Sequence, residues 1–541
     1  MLCAVVVVPS LLYVGQLGFY SDDWRFLANL ALGPQPGFSG AIQVLAPDLG
    51  ARPPHLVLLA ALYQVAGLDP LGYHLASIGL LAVGGVGMYL ILLELGIRRS
   101  LAFAACAVFV TLPQYSTDRF WIAAIQADIA LAFFVVGAYA SLRALRTGRA
   151  WVAWTMLAAS ALAISLLAYE VFVGLSLLLP LLVLWRAQRP WSPRVAAVVG
   201  VLVASILAVV VFKVATTTRL PEFASLLARA RWFAAVLRDG GLVGLGGYGV
   251  GLPLLASDAA LKWPDAVRLI AAVVVGGGVG AWTFGAARYA DWTAWRPESR
   301  RLIVGGLVVF VAGLAIFVTN QAFAGTLSGS ANRTMIAAAI GVALALTGLA
   351  GLIAGIWPPR LWPRGLAAHD ARSRPRVRAE VLATLIGLLC LSGTLLNLTL
   401  AAFWVEAARE QSDVMRALHA AAPTLSGGAS VLLAGSCPYV GPGVVFEAPW
   451  DVAGAIQIAY DDPTLRGDVV TPRLTIGDAG VTTEIYGEPA FYPYANLFVF
   501  DRSAHELVPT PNRAALERAL ASTENGAACG PGQPGLGQPV L

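Results

Sequence analysis

The chain has 541 residues, of which 58% are hydrophobic and only 12% charged, where a soluble globular chain carries about 25% charged residues. That balance excludes a soluble globular protein and reads as a polytopic α-helical membrane protein. The formal net charge of +5 is unevenly spread: Trp404 to Leu541 carries 7 Arg against 15 Asp and Glu. The basic excess therefore belongs to the loops of the apolar part, where it speaks of membrane orientation, and nucleic acid is not an expected partner.

A spanning helix needs roughly 20 apolar residues. Runs of that kind are expected at 2–20, 71–95, 100–113, 121–142, 151–168, 171–187, 195–217, 264–287, 302–319, 332–356 and 379–403, about 11 transmembrane helices. Leu2 to Phe19 has no basic n-region and no Ala-x-Ala site, so it reads as a retained first span. With eleven spans, Arg98 and Arg99, the 143–149 and 186–194 clusters, the 288–301 cluster and Arg360 to Arg378 all fall on one side. That side is then cytoplasmic, with the N-terminus inside and the acidic tail outside. Gly240 to Leu255 is apolar but glycine-rich. A twelfth span there would move the Arg296 cluster outside, so an interfacial or re-entrant segment is expected.

The first external loop, 21–70, is the longest early loop, and Tyr20-Ser21-Asp22-Asp23-Trp24 opens it. Two adjacent carboxylates there are either a solvated helix flank or the acidic centre of a site at the membrane surface, because an unpaired charge is costly in hydrocarbon. Pro54 to Gly67 is too short for a span and is expected to lie on the membrane surface as a helix. Further polar groups gather at the same face: Asp118, Arg119 and Trp121 after the third span, Glu170 at the third external turn, Arg219 and Glu222 in the fourth loop, and Asn332-Arg333 in the fifth. The chain divides into a transmembrane part, 1–403, an extracytoplasmic α/β unit, 404–529, and a disordered Gly/Pro-rich end, 530–541. In the tail, strands are expected at 431–434, 469–476, 481–486 and 497–500, with helices at 404–421 and 512–521. Cys437 and Cys529 in that tail have the chemistry for a disulfide if it lies outside the cytoplasm. Cys3, Cys106 and Cys390 lie in apolar runs and read as inert.

Taken in order, these motifs resemble the type C superfamily of polytopic glycosyltransferases (GT-C), among them protein O-mannosyltransferases and aminoarabinose transferases. The resemblance rests on the acidic pair Asp22-Asp23 after span one and on Arg52-Pro53 leading into a surface helix, with Gly67 through Tyr73-His74 after it. It continues with Pro113 to Trp121, with Tyr169-Glu170, where the family often has Lys-Glu, and with Asn332-Arg333. It covers the chain to about residue 356. The tail shows no tetratricopeptide repeats.

The resemblance implies transfer of a sugar from a polyprenyl-phosphate donor to a glycan, lipid or protein acceptor at the external face of the plasma (inner) membrane. It implies that Asp22 is the base, with Asp23 as its deputy or as a metal or hydrogen-bond partner. Arg52, Arg333 and Arg219 are candidates for the donor phosphate, which a guanidinium grips as a fork. For Arg219, snorkelling to the headgroups is the preferred reading. Asp118, Trp121, Glu170 and His74 are expected to support the substrate or the site, and a lone His at a span start is more often a packing residue. Some relatives use a divalent ion, but no His/Cys/Asp spacing here makes a metal site, and no cofactor is assigned. Two other classes compete. A transporter or flippase of lipid-linked glycans predicts mid-membrane polar groups and internal repeats. A non-catalytic assembly protein leaves Asp22 dispensable.

Overall fold

The computed structural model describes residues 1–34, 36–216, 225–290, 292, 295–319, 326–356, 373–471, 473–485 and 488–521. Its helices up to residue 421 are α1 (Leu2–Ser10), α2 (Asp22–Ala31), α3 (Gly37–Leu49), α4 (Pro53–Ala66), α5 (Pro70–Glu94), α6 (Arg99–Thr111), α7 (Ile125–Arg146), α8 (Trp151–Ala168), α9 (Val173–Arg186), α10 (Pro193–Thr216), α11 (Leu226–Gly241), α12 (Leu252–Lys262), α13 (Ala266–Ala287), α14 (Trp295–Gly313), α15 (Ile336–Ile356) and α16 (Ser373–Ala421).

Seven helices among the described residues are long and apolar enough to cross a membrane, and each coincides with an expected run. Two bent pairs raise the number to nine. One is α6 with the 3-10 segment Pro113–Arg119, bent by 60°, where the third span was expected. The other is Leu226–Val250 with α12, bent by 71°, at the glycine-rich stretch. Here Leu242–Val250 winds as a π-helix, a wide turn that marks departure from a regular span. The run from Leu2 to Phe19 is shorter as a helix than expected. Pro9 lies inside α1, the helix ends at Ser10, and the chain continues with tighter i→i−3 bonds from Leu12 to Pro9 and Tyr13 to Ser10. Likewise α9, at 14 residues and with Pro180 inside, and α14, whose first turns hold Arg296, Glu298, Arg300 and Arg301, are not by themselves long apolar spans. Arg219, Glu222 and Cys529 lie outside the described residues, as do Arg360, Arg364, Arg372 and the 530–541 end.

The arginine clusters meet at one end of the bundle. Arg143 and Arg146 pair with Glu94 at 3.1 and 2.7 Å, and Arg98 pairs with Glu298 at 2.9 Å. Three loops expected on the cytoplasmic side are thus drawn together through two carboxylates.

Helix α16 has 49 residues, roughly 70 Å of helix against a hydrocarbon core of about 30 Å. It runs unbroken through residues 403–404, so the polar segment 404–421 is a continuation of the last span rather than a separate helix. Beyond it come β1 (Ser430–Ala434), β2 (Tyr439–Val440), β3 (Gly443–Val444), α17 (Pro449–Tyr460), β4 (Arg466–Val469), β5 (Thr475–Ile476), β6 (Gly480–Ile485), β7 (Glu488–Pro493), β8 (Leu497–Asp501), β9 (Glu506–Pro509) and α18 (Arg513–Ala521). The main sheet has the order β4-β1-β8-β9. β1 is parallel to both neighbours, with Val431 opposite Gly467 and Phe498. It is buried along its whole length, as a parallel strand covered on both faces requires. α17 lies in the crossover from β1 to β4, which parallel pairing demands. It packs on β4 with one side and on α2 with the other.

That contact joins two parts far apart in sequence. One core fills the helical bundle. A second is shared by the first loop (Tyr20, Leu27, Leu45, Leu59), the far end of α16 (Trp404, Leu418) and the sheet unit (Val431, Phe446, Val452). Gly454 of α17 sits where the approach is closest. A Cβ there would lie 2.5 Å from the backbone carbonyl of Trp24 and 2.9 Å from the nitrogen of Arg25.

Candidate functional site

The turn Tyr20–Asp23 is tethered from three directions. Asp23 accepts from its own chain at Tyr20 N (2.9 Å) and from Ala123 N (2.7 Å). The Tyr20 carbonyl accepts from Trp121 Nε1 at 2.8 Å, and the Tyr20 hydroxyl donates to the Trp404 carbonyl at 2.8 Å. Ser21 donates its hydroxyl to Glu447 Oε1 at 2.7 Å. Ser21 itself has φ 47° and ψ −118°, a left-handed conformation that a residue with a Cβ holds only when its surroundings impose it.

This geometry separates the two carboxylates. Asp23 is 2% exposed, and each of its oxygens takes a backbone N–H. It is a tie, and the role of acting base does not fit it, because both oxygens are occupied and out of reach of solvent. Asp22 begins α2 and is partly exposed. Its carboxylate has no hydrogen-bond or ion-pair partner among the described residues. Burial raises its pKa, while Arg333, Arg25 and Arg52 pull it down and Asp48 adds to the rise. The result is a carboxylate more basic than usual, within the electrostatic reach of three arginines and of Asp48.

Each cation is set by its own element. Arg333 stacks over the Trp121 ring at 4.6 Å and donates to the Ser330 carbonyl at 3.1 Å. Its neighbour Asn332 stitches this segment to Pro113–Arg119: it donates to Ser116 Oγ at 2.9 Å and accepts from Thr117 N at 3.2 Å. Arg52 caps the start of α4, with its guanidinium 5.4 Å from the Tyr169 ring centroid and 3.8 Å from Glu170. Glu170 also holds Lys213 of α10 at 2.5 Å. Arg25 pairs with Asp48 at 2.6 Å.

Of the other expected residues, Trp121 and Glu170 belong to this assembly. His74 Nε2 lies 3.1 Å from the Gly18 carbonyl and is 1% exposed, so it packs the turn from behind. Asp118 is fully buried and neither carboxylate oxygen has a hydrogen-bond partner among the described residues. It faces Asp128, Arg333 and Arg119 from inside the protein. Its burial favours the reading in which it balances arginines over direct contact with a sugar. His55 is buried, with its pKa lowered to about 3 by burial and by Arg52, so it is neutral at physiological pH.

Two residues of the site carried no signal in the sequence. Lys213 is a lysine near the end of an apolar run. Glu447 is one of many acids in the tail, and its motif Val-Phe-Glu-Ala-Pro has no recognisable chemistry. Among the described residues no three His, Cys, Asp or Glu side chains form a group that could hold a metal ion.

No family model matches the chain, and no curated protein matches it. Among solved structures it is similar to the crystal structure of ArnT from Cupriavidus metallidurans bound to undecaprenyl phosphate. Identity is 12% and the TM-score 0.34, over 87% of this chain and 85% of that one. It is also similar to the same protein's apo structure, at 14% identity and a TM-score of 0.31, over 85% of this chain and 88% of that one. Superpositions this loose transfer no residue and no ligand.

Proposed function

We propose that the chain is an integral-membrane glycosyltransferase. It moves a sugar from a polyprenyl-phosphate donor to an acceptor at the external membrane face, with Asp22 as the base. The observation that carries this reading is the Asp22 carboxylate, which has no hydrogen-bond or ion-pair partner among the described residues and lies within the electrostatic reach of Arg333 and Arg52. The resemblance in motif order to the GT-C superfamily adds to it.

In this reading the acceptor O–H or N–H attacks the anomeric carbon, its proton passes to Asp22, and the bond from that carbon to the phosphate oxygen breaks. Polyprenyl phosphate leaves with the electron pair. Arg333 and Arg52 offset the charge that grows on it, in a setting partly shielded from water where such offsets are worth most. Arg333 is aimed by the Trp121 face and by Asn332. Arg52 is steadied by Tyr169 and by Glu170, whose charge Lys213 balances. The prenyl chain lies along the lipid-facing surface beside α4, in keeping with the apolar exposed residues Val57 and Val65 there.

The test is release and transfer of label from radiolabelled polyprenyl-phosphate sugars in membranes holding the native chain or Asp22→Asn at equal expression. Transfer by the native chain and its loss in the variant is the expected result. Equal transfer by both would remove Asp22 from the chemistry. No transfer above empty membranes, across a donor panel with acceptor extracts added, would sink the reading.

A further inference from the structure

We infer that Glu447 is a positioning residue for Asp22, and that through it the C-terminal sheet unit sets the geometry of the site. The inference rests on the reading of Asp22 as the base.

Four of the five ties on the acidic turn act on Tyr20 and Asp23. The fifth, from Ser21 to Glu447, acts on the residue whose carbonyl leads directly into Asp22. Ser21 is also the strained residue of the turn, at φ 47°. A glycine would adopt that conformation freely. The presence of serine makes sense if its hydroxyl is needed, and the hydroxyl is spent on Glu447.

Glu447 is itself held on several sides. It is 4% exposed. Its second oxygen accepts from the Tyr439 hydroxyl on β2, and its backbone N–H donates to Asp451 Oδ2 at 2.8 Å. Asp451, fully buried at the start of α17, also accepts from Ala448 N at 3.2 Å. So the acid that grips Ser21 is clamped between β2 and α17, and α17 is seated on α2 through the Gly454 contact. A buried, rigidly supported hydrogen bond one residue from a reacting group is the arrangement that fixes an attacking geometry to within a fraction of an ångström. Glu447 does not reach substrate in this account; it acts by holding the backbone that carries Asp22.

The experiment uses the full-length chain in proteoliposomes with a radiolabelled polyprenyl-phosphate sugar. Glu447→Ala, Glu447→Gln and Ser21→Ala are compared in the native and Asp22→Asn backgrounds. Backbone hydrogen exchange of residues 20–24 is read on the same samples. The expected result is that Glu447→Ala and Ser21→Ala each lower kcat by about tenfold or more with KM for the donor unchanged. The double variant should be no worse than either single one, because one link is cut once. Glu447→Gln, which keeps an acceptor oxygen for Ser21, should recover much of the loss. In the Asp22→Asn background the Glu447 changes should have no further effect, and exchange at 20–24 should quicken in the Ala variants alone.

An equal loss in the Asp22→Asn background would mean that Glu447 supports the fold at large, and would overturn the inference. So would native kcat together with native exchange in Glu447→Ala. If Glu447→Ala fails to fold, Ser21→Ala and Glu447→Gln decide by the same readouts. Failure of the transferase reading is distinct: the native chain would then be inactive, while hydrogen exchange would still show whether Glu447 holds the turn.

Discussion

Asp22 and Asp23 are neighbours with opposite assignments, and the difference lies in hydrogen bonds. Asp22→Asn removes the base and is expected to lower transfer by roughly 10²–10⁴-fold. Because burial raises the Asp22 pKa, the acid limb of the rate profile should lie above the ordinary Asp value of about 3.9. Activity should climb as pH rises through it. Arg333 is the largest influence lowering that pKa, so Arg333→Gln should move the limb to higher pH as well as weaken donor binding; the pH dependence of kcat/KM checks both. Asp23, by contrast, should show in stability. Burial raises its pKa well above the usual range. The unfolded chain therefore loses this proton first, and stability should fall as pH rises from about 4 towards the folded pKa. Asp23→Asn should flatten that slope and cost about 1–3 kcal/mol through the backbone N–H left facing an amide group. Thermal unfolding in detergent across pH reads this out, and an unchanged slope would refute it. The acidic pair was plain in the sequence. The division of labour was not, since it depends on Ala123 N, which is set 100 residues away in the chain.

At the scale of elements, periodicity located the long apolar helices well, because a run of about 20 apolar residues has few alternatives in a bilayer. It failed where a local residue breaks the run. α1, with Pro9 inside it, stops at Ser10. The π-turn and sharp bend near residue 250 fall in the glycine-rich stretch where no regular span was expected. The docking of α17 on α2 had no signature in either segment. It depends on one glycine, and Gly454→Ala would press a methyl group into the Trp24 backbone. Overpacking of this kind costs about 1–3 kcal/mol. The expected outcome is a lower unfolding temperature and reduced transfer, with the helical bundle intact by circular dichroism. Unchanged stability would show that α17 and α2 separate without cost.

The whole molecule has two ends. Arginine clusters converge through Glu94 and Glu298 at one, and Asp22, Arg52, Glu170 and Arg333 gather with the sheet unit at the other. If the first end is the cytoplasmic one, as its arginines imply, single cysteines at Ser39 and Ala504, both exposed, should react with a membrane-impermeant maleimide in intact cells. Ala150→Cys, in an arginine-rich loop, should react only after permeabilisation; Cys3→Ser removes the one exposed free thiol among the described residues. Labelling of Ala504→Cys from the opposite side to Ser39→Cys would contradict the shared core of loop and sheet unit. Composition and periodicity were enough for the membrane class, for most spans and for the acidic turn, because hydrophobic length and charge placement are local properties of the chain. Which carboxylate stays unpartnered, which cations face it, and that Glu447 reaches Ser21 were decided only in the folded chain. Hydrogen bonds and close packing act through space between residues that no spacing in the sequence relates.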